Sequence, residues 1–257
     1  MQDVAPAITP AMDRRVSESG SIPCRVSVGE GYARWAATYD QTPNPLLALE
    51  QRCLLPLLPD VAGKCVLDLA CGTGRWLEKL LAAKPALGLG IDLSSAMLAV
   101  AQSKPAMAGR LARADCLQLP FASGVFDLAV CSFAVEHLEN LSEVAAEWSR
   151  VLNHRADLFI TCLHPVAYAA GWRAGFRDAQ VALQIDAVPH SAKEMVAAFH
   201  GAGFELWHKL ECFVGAPERQ LFADAGKERF FDAARGVPAI IILHLRHCSG
   251  APKIKTG

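Results

Sequence analysis

Two glycines and three aspartates in the first half of the chain have the types and spacing of a ligand-binding site. Gly72 and Gly74 lie one residue apart, and Asp68, Asp92 and Asp115 each lie within or at the end of a strand-like segment. Two glycines this close allow a tight turn and remove the side chains that would keep a ligand away from the main chain. Carboxylates accept hydrogen bonds from hydroxyl and amino groups. The combination therefore predicts a site for a nucleotide-like ligand.

The elements that must position these residues are a buried strand, a glycine turn and a helix. Val66, Leu67 and Leu69 form the short apolar run of a strand that is covered on both faces, and a helix starts at Arg75. The N-terminus of that helix offers unpaired N–H groups to an anion or a carboxylate. Leu77 stands where a dinucleotide fingerprint needs a third glycine, which disfavours an NAD or FAD site.

The rest of the chain repeats the alternation of strand and helix. Such alternation is typical of a parallel sheet with right-handed crossovers and helices on both faces. The predicted strands are 87–93, 111–116, 126–133, 158–163, 204–213 and 239–247, and the predicted helices are 46–55, 94–102, 144–152, 191–203 and about 218–235. The fold class is α/β.

Three segments in series carry a family resemblance: D-x-x-C-G-T-G at Asp68–Gly74, G-I-D-L-S at Gly90–Ser94 and A-D-C-x-x-L-P-F at Ala114–Phe121. In this order they resemble the class I S-adenosylmethionine-dependent methyltransferases, and within them the small-molecule branch that includes ubiquinone-biosynthesis-type enzymes. The resemblance covers roughly residues 32 to 164. It implies a Rossmann-like, seven-stranded, mostly parallel sheet whose last strand is antiparallel.

The resemblance also implies how S-adenosylmethionine binds. The two glycines let the methionine part lie against the turn, Asp92 holds both ribose hydroxyls, and Asp115 accepts from the adenine amino group while Cys116 supplies a backbone N–H. Ala70 stands where many members have a glycine, which is a departure from the family pattern. The complete expected cofactor set is Asp68, Cys71, Gly72, Gly74, Asp92, Leu93, Asp115, Cys116, Phe133, Tyr39 and Trp35.

Aromatic residues lie both before and after the three motif segments in the sequence. Tyr32, Trp35 and Tyr39 share one helical face, which indicates either simple core packing or, as the resemblance implies, a lid over the cofactor. Trp172 and Phe176 lie in a segment that we expect to cover the substrate. The expected organisation is a flexible arm over 1–28, one methyltransferase domain over 29–248 with lid helices at 29–60 and a substrate cover at 164–190, and a tail over 249–257.

Three of the eight histidines are candidates for acid–base chemistry. His137, His164 and His190 belong to segments near the expected mouth of the pocket, and a neutral imidazole accepts a proton near pH 7. His164 is preferred because it ends a strand, and because Pro165 favours an extended backbone that would aim its ring into the pocket. The alternative for each of the three is a hydrogen-bonded structural histidine, which is the more common role for any single one. The histidine and cysteine spacing predicts no metal site.

Composition excludes several other classes of function. The chain has 257 residues, a hydrophobic fraction of 52% and a formal net charge of -1, so it can bury a large core but has no global positive field to attract nucleic acid. The nine cysteines contain no C-x-x-C pair. We expect a cytoplasmic protein with reduced thiols and no membrane span.

The expected function is transfer of a methyl group from S-adenosylmethionine to an oxygen, nitrogen or carbon nucleophile of a small, partly apolar or aromatic metabolite. The alternative is a protein that binds S-adenosylmethionine without transferring its methyl group and acts as a regulatory or scaffolding subunit, because binding alone requires the same aspartates and glycines. The sequence does not identify the methyl acceptor or the oligomeric state.

Overall fold

A seven-stranded sheet forms the centre of the protein. The computed structural model describes residues 23–178 and 181–248. The strand order is β4-β3-β2-β5-β6-β10-β9; β2 to β6 run parallel, and β10 runs antiparallel to both β6 and β9. This arrangement confirms the predicted Rossmann-like, mostly parallel sheet with an antiparallel last strand.

The elements alternate along the chain as the apolar pattern predicts. The strands are β1 (Cys24–Val26), β2 (Cys65–Leu69), β3 (Leu87–Asp92), β4 (Leu111–Arg113), β5 (Phe126–Ser132), β6 (Leu152–Leu163), β7 (Gly175–Asp178), β8 (Val181–Ile185), β9 (Phe204–Phe213) and β10 (Pro238–His247). The helices are α1 (Val28–Trp35), α2 (Pro45–Leu54), α3 (Arg75–Ala82), α4 (Ser95–Gln102), α5 (Leu141–Val151), α6 (Pro165–Ala169), α7 (Ala192–Gly201), α8 (Arg219–Asp224) and α9 (Phe231–Arg235).

Both faces of the sheet are packed. Alternate residues of each strand point to opposite faces. Ala129 and Cys131 of β5 face a core that includes Trp148 of α5, whereas Leu128 and Val130 face a second core with α2, α3, α8 and α9. Because the strands are covered on both sides, ligands can reach the sheet only at its edges, and the carboxyl ends of parallel strands form the usual binding edge.

A second, three-stranded sheet with the order β1-β8-β7 lies over this edge together with α1. Trp35 of α1 packs in its small core with Val26, Leu183 and Ile185. The predicted substrate cover over 164–190 thus contributes α6, β7 and β8, and its two strands join a strand from the N-terminal segment.

Several predicted boundaries are wrong. The expected flexible arm over 1–28 includes β1 and the start of α1, so its described part, residues 23–28, is regular structure. Residues 1–22, the expected tail over 249–257 and residues 179–180 of the cover lie outside the described residues. The third strand of the main sheet ends at Arg113, before the expected 116, because the side chain of Asp115 closes a turn by accepting from the N–H of Leu117 at 2.9 Å.

Two more predictions differ for local reasons. The single helix expected over 218–235 is two short helices, α8 and α9, because Gly226 adopts a left-handed backbone conformation, with φ at 67°, that ends the first. β6 starts six residues before the predicted Leu158, and its pairing with β5 is shifted between Leu152 and Asp157. Among residues 23–178 and 181–248 no helix has the length and apolar character to cross a membrane.

Candidate functional site

The glycine turn between β2 and α3 has the backbone conformation that its sequence predicts. Gly72 and Gly74 have φ values of 55° and 80°, in the left-handed region that favours glycine. A Cβ added to Gly72 would meet no heavy atom within 4 Å, so the space above this residue is open. Ala70 also has a positive φ, 54°, which is strained for a residue with a side chain. The turn therefore presents its backbone to a ligand.

Asp92 ends β3 beside this turn. Its Oδ2 accepts from the N–H of Gly72 at 2.8 Å and its Oδ1 accepts from the N–H of Ser94 at 2.7 Å. Burial raises the pKa of this carboxyl, although the backbone donors oppose the rise. Each carboxylate oxygen can accept a second hydrogen bond, so Asp92 remains able to bind a diol.

Leu93, Asp115 and Cys116 lie near the end of β4. Leu93 follows Asp92 and its side chain is 60% exposed, a large apolar surface beside a carboxylate. Asp115 is exposed, whereas Cys116 is buried and its carbonyl accepts from Trp148 Nε1 at 3.1 Å. An aromatic base with an amino group needs an apolar surface against its ring and an acceptor for its N–H groups. Leu93 offers the apolar surface and Asp115 offers the acceptor.

Asp68 and Cys71 have structural contacts instead of facing open space. Asp68 is buried, and its Oδ2 accepts from the N–H of Leu77 at 2.8 Å in the first turn of α3. Burial raises the pKa of Asp68 to about 7. The side chain of Cys71 packs against Gly90, where an added Cβ would lie 2.9 Å from its sulfur. Asp68 therefore orients α3, and Cys71 packs between the glycine turn and β3.

The predicted lid residues form one aromatic cluster. Trp35 packs against Phe176 with ring centroids 5.0 Å apart and against Tyr39 at 4.8 Å. Burial raises the pKa of Tyr39 to about 12. The next residue, Asp40, accepts from Thr73 Oγ1 at 2.7 Å and pairs with Lys104 Nζ at 2.8 Å. Asp40 therefore connects the segment after α1 to the glycine turn and to Lys104.

A buried polar network lies between α2, the start of α3 and the ends of β5 and β6. The sequence analysis did not predict it. Glu50 of α2 is fully buried, pairs with Arg75, and accepts from Thr161 Oγ1 and from Trp76 Nε1, the last at 3.1 Å. Arg75 also donates to Ser132 Oγ at 3.0 Å, and its Nη1 is buried without a hydrogen-bond partner in the described part of the chain. The network ties the lid segment to the start of α3 and to the ends of β5 and β6.

The turn after β5 holds two further features. Phe133 has a φ of 49°, a rare conformation for an aromatic residue and one that concentrates at functional sites. Its ring packs against the core that contains Trp76 and Phe159. Glu136, in the 3₁₀ turn Val135–His137, has a buried Oε2 without a partner among the described residues. Burial raises the pKa of Glu136 to about 7. Sequence reasoning named its neighbour His137 and missed Glu136, for which no separate signal existed.

His137 and His190 lie close to this turn. His137 Nδ1 is 3.0 Å from the carbonyl of Asp186, and Nε2 is 3.0 Å from the hydroxyl of Tyr32. A carbonyl only accepts, so Nδ1 carries the proton and Tyr32 donates to Nε2. Burial lowers the pKa of His137 to about 4, so the ring is neutral at pH 7. His190 donates through Nε2 to the carbonyl of Leu138 at 2.8 Å.

His164 lies directly after β6, farther along the carboxyl edge of the main sheet. Its backbone is extended, as Pro165 predicts, but the residue caps α6, with Nδ1 accepting from the N–H of Val166 at 3.1 Å. Its Nε2 lies 3.7 Å from Glu211 Oε1 of β9, on the side of β6 away from β2 and β3. The expectation that its ring points into the pocket therefore does not match the structure, because Pro165 starts a helix that the imidazole caps. Burial also lowers the pKa of His164.

Comparison with known proteins finds relatives of the central part of this chain. Residues 66–155 match the family model described as a methyltransferase domain. Malonyl-[acyl-carrier protein] O-methyltransferase of Legionella pneumophila is 34% identical over 127 residues, 47% of this chain and 45% of that protein. Demethylmenaquinone methyltransferase of Lactiplantibacillus plantarum is 38% identical over 100 residues, 36% of this chain and 42% of that protein. The chain thus spans less than half the length of these two curated relatives.

A solved S-adenosylmethionine-dependent methyltransferase from Mesorhizobium loti superposes with a TM-score of 0.62 at 22% identity, over 79% of this chain and all of that one. At this identity the likeness shows the fold. The part of the chain that is similar to a methyltransferase domain, residues 66–155, runs from β2 into β6 and so forms the centre of the sheet. The matched segment contains the glycine turn, Asp92, Asp115 and Glu136.

Proposed function

We propose that this protein transfers a methyl group from S-adenosylmethionine to a nucleophilic atom of a small, partly apolar or aromatic molecule. The observation that carries the proposal is the contact between Asp92 and Gly72, which brings a diol-binding carboxylate next to an open glycine backbone. Those two groups suit the ribose and the methionine part of the cofactor. The names of the relatives support methyl transfer to small or carrier-bound molecules.

The residues present fit the cofactor. Asp92 would hold the ribose hydroxyls, Leu93 would lie against the adenine ring, Asp115 would accept from its amino group, and the backbone of Gly72 and Gly74 would carry the methionine part. When bound, S-adenosylmethionine supplies an electrophilic methyl group on its sulfonium, so the protein has little covalent chemistry of its own to perform.

The chain's own residues then position the acceptor and exclude water. Trp35, Tyr39 and Phe176 form an apolar cover, and Asp40 holds that cover against the glycine turn. Holding two reactants in line converts a bimolecular encounter into an effectively intramolecular one, which supplies much of the rate enhancement in such reactions. An apolar or aromatic acceptor matches the aromatic surface of this cover.

The nine cysteines are free thiols, and five of them are buried, which supports a reducing compartment and a cytoplasmic location. The formal net charge of -1 supports a small-molecule acceptor over a nucleic acid. The organisation that we propose is one methyltransferase domain over 29–248 with its lid at 29–60 and its substrate cover at 164–190.

The direct test is incubation with S-adenosylmethionine that carries a labelled methyl group and a panel of phenols, quinols, amines and carboxylic acids. We expect label in one chemical class, with equimolar release of S-adenosylhomocysteine. Asp92→Ala should abolish labelling at low cofactor concentration, whereas Asp232→Ala, at an exposed carboxylate, should match the wild type. Tight cofactor binding without labelling of any acceptor would instead favour a regulatory or scaffolding subunit.

A further inference from the structure

Glu50 and Glu136 each place a buried carboxyl oxygen near the carboxyl edge of the sheet, and the surroundings of the two differ. Glu50 is neutralised by Arg75 and accepts two further hydrogen bonds. Glu136 forms no ion pair with any residue that the structure describes. The backbone N–H of Leu163 favours the charged form of its carboxyl and lowers its pKa, and its Oε2 is buried without a hydrogen-bond partner among the described residues. A buried acceptor without a donor is unfavourable in a folded protein unless a ligand or water supplies one.

The backbone holds this carboxylate in a defined place. The carbonyl of Glu136 accepts from the N–H of Val188 at 2.7 Å, which joins the turn after β5 to the segment after β8. Leu163 ends β6, the next strand of the sheet. Glu136 therefore lies where β5 and β6 end, beneath the lid that carries Tyr32 and Tyr39.

We propose that Glu136 forms a subsite for the N–H or O–H group of the methyl acceptor, and that it takes the proton of that group during transfer. The inference rests on the proposed function and names the chemical class of its acceptor. The acceptor is a neutral amine, phenol or other hydroxyl compound. A free carboxylate has no proton to donate and is repelled by Glu136.

Atoms and charges balance in this step. The acceptor's N–H or O–H proton moves to Oε2 as the lone pair left on the nitrogen or oxygen forms the bond to the methyl carbon. The carbon–sulfur bond breaks, and its electron pair stays on the sulfur, which becomes a neutral thioether. Glu136 then returns the proton to water when the product leaves.

The surroundings of Glu136 suit a proton acceptor that works near neutral pH. Desolvation is the main cause that raises its pKa to about 7, Glu50 adds a smaller rise, and the N–H of Leu163 opposes both. The other titratable groups that feel its charge are the hydroxyls of Tyr32 and Tyr39 and the thiols of Cys131 and Cys162, all of which burial keeps neutral. The neighbouring ring of His137 is also neutral at pH 7.

The test compares Glu136→Gln with Glu139→Gln, a control at an exposed residue of the same loop. Glutamine has nearly the same size and keeps an amide oxygen, but it cannot take a proton. The wild type should show an acidic limb near pH 7 in kcat/KM. Glu136→Gln should lose that limb and about 10² to 10⁴ in turnover, while S-adenosylhomocysteine binds within about twofold of the wild type. Unchanged turnover with an unchanged limb would overturn the proposal, and so would a large loss of S-adenosylhomocysteine affinity, which would place Glu136 in the cofactor site.

A second readout does not depend on turnover. With saturating S-adenosylhomocysteine at pH 8, the wild type should bind phenol more tightly than benzoate, and Glu136→Gln should lose about tenfold in phenol affinity while gaining affinity for benzoate. A wild type that prefers benzoate would overturn the donor subsite even if methyl transfer is established. The expected phenol preference without any methyl transfer would retain the subsite and reject the proposed function.

Discussion

Replacing Glu50 should destabilise the protein more than most single substitutions do. Glu50 is fully buried and pairs with Arg75, whose side chain is only 19% exposed. Removing one partner of a buried ion pair leaves the other charge uncompensated, at a cost of about 3–5 kcal/mol. Glu50→Ala also leaves Trp76 Nε1 and Thr161 Oγ1 without their acceptor. For a domain of this size each kcal/mol lowers Tm by about 2–4 °C, so we expect a decrease of about 6–20 °C.

Urea unfolding and differential scanning calorimetry measure this loss, and a double variant identifies its cause. Glu50→Leu combined with Arg75→Met removes both charges, so it should recover a large part of the stability that Glu50→Leu alone loses. Glu78→Ala is the matched control, because Glu78 is exposed and lies 4.0 Å from Lys104; it should change stability by less than about 0.5 kcal/mol. A loss below about 1 kcal/mol for Glu50→Ala, or a double variant no better than the single one, would refute the reasoning.

Two further predictions concern the glycine turn. Asp68→Asn keeps an acceptor for the N–H of Leu77 and removes a carboxyl whose pKa is raised to about 7. Urea unfolding at pH 8 should therefore show equal or greater stability, and this advantage should shrink as the pH falls from about 7 towards the ordinary aspartate pKa of 3.8. Asp68→Ala should instead lose about 1 kcal/mol, and the opposite order of the two variants would contradict the helix-orienting role. Asp40→Ala removes the carboxylate that contacts both Thr73 and Lys104. Amide hydrogen exchange over α1 should therefore speed up by about one to two powers of ten, and Lys104→Ala should have a smaller effect. Unchanged exchange in Asp40→Ala would show that Asp40 does not hold the lid closed.

The parts of the site that follow from neighbouring residues could be predicted from the sequence. Gly72 and Gly74 adopt the positive φ values that a tight turn requires, and Asp92 ends its strand beside them because parallel strands bring their carboxyl ends to one edge. Ser94 caps α4, directly before the apolar residues of that helix, by accepting from the N–H of Met97 at 3.3 Å. In each case the signal and the structure lie within a few residues of each other.

The parts that depend on distant contacts could not be predicted. The pattern of α2 indicates that Leu49 faces inward, but nothing in it shows that Glu50 meets Arg75, 25 residues away. Arg75 finds its carboxylate partner only in the folded chain, where Glu50 of α2 lies against the start of α3. His164 illustrates the opposite error: Pro165 correctly predicts an extended backbone, yet the direction of the ring is decided by the helix that it caps.

Binding of S-adenosylhomocysteine to the wild type and to Asp92→Ala, measured by isothermal titration calorimetry, tests the central claim most directly. The wild type should bind one equivalent. Asp92→Ala should bind about ten- to a hundredfold more weakly, because two ribose hydroxyls lose a charged acceptor at a cost of about 1.5–3 kcal/mol. Since Asp92 also accepts from Gly72 and Ser94, the circular dichroism spectrum of the variant must match that of the wild type. A wild type that does not bind S-adenosylhomocysteine, or a folded Asp92→Ala with unchanged affinity, would contradict the assignment of this edge as the cofactor site.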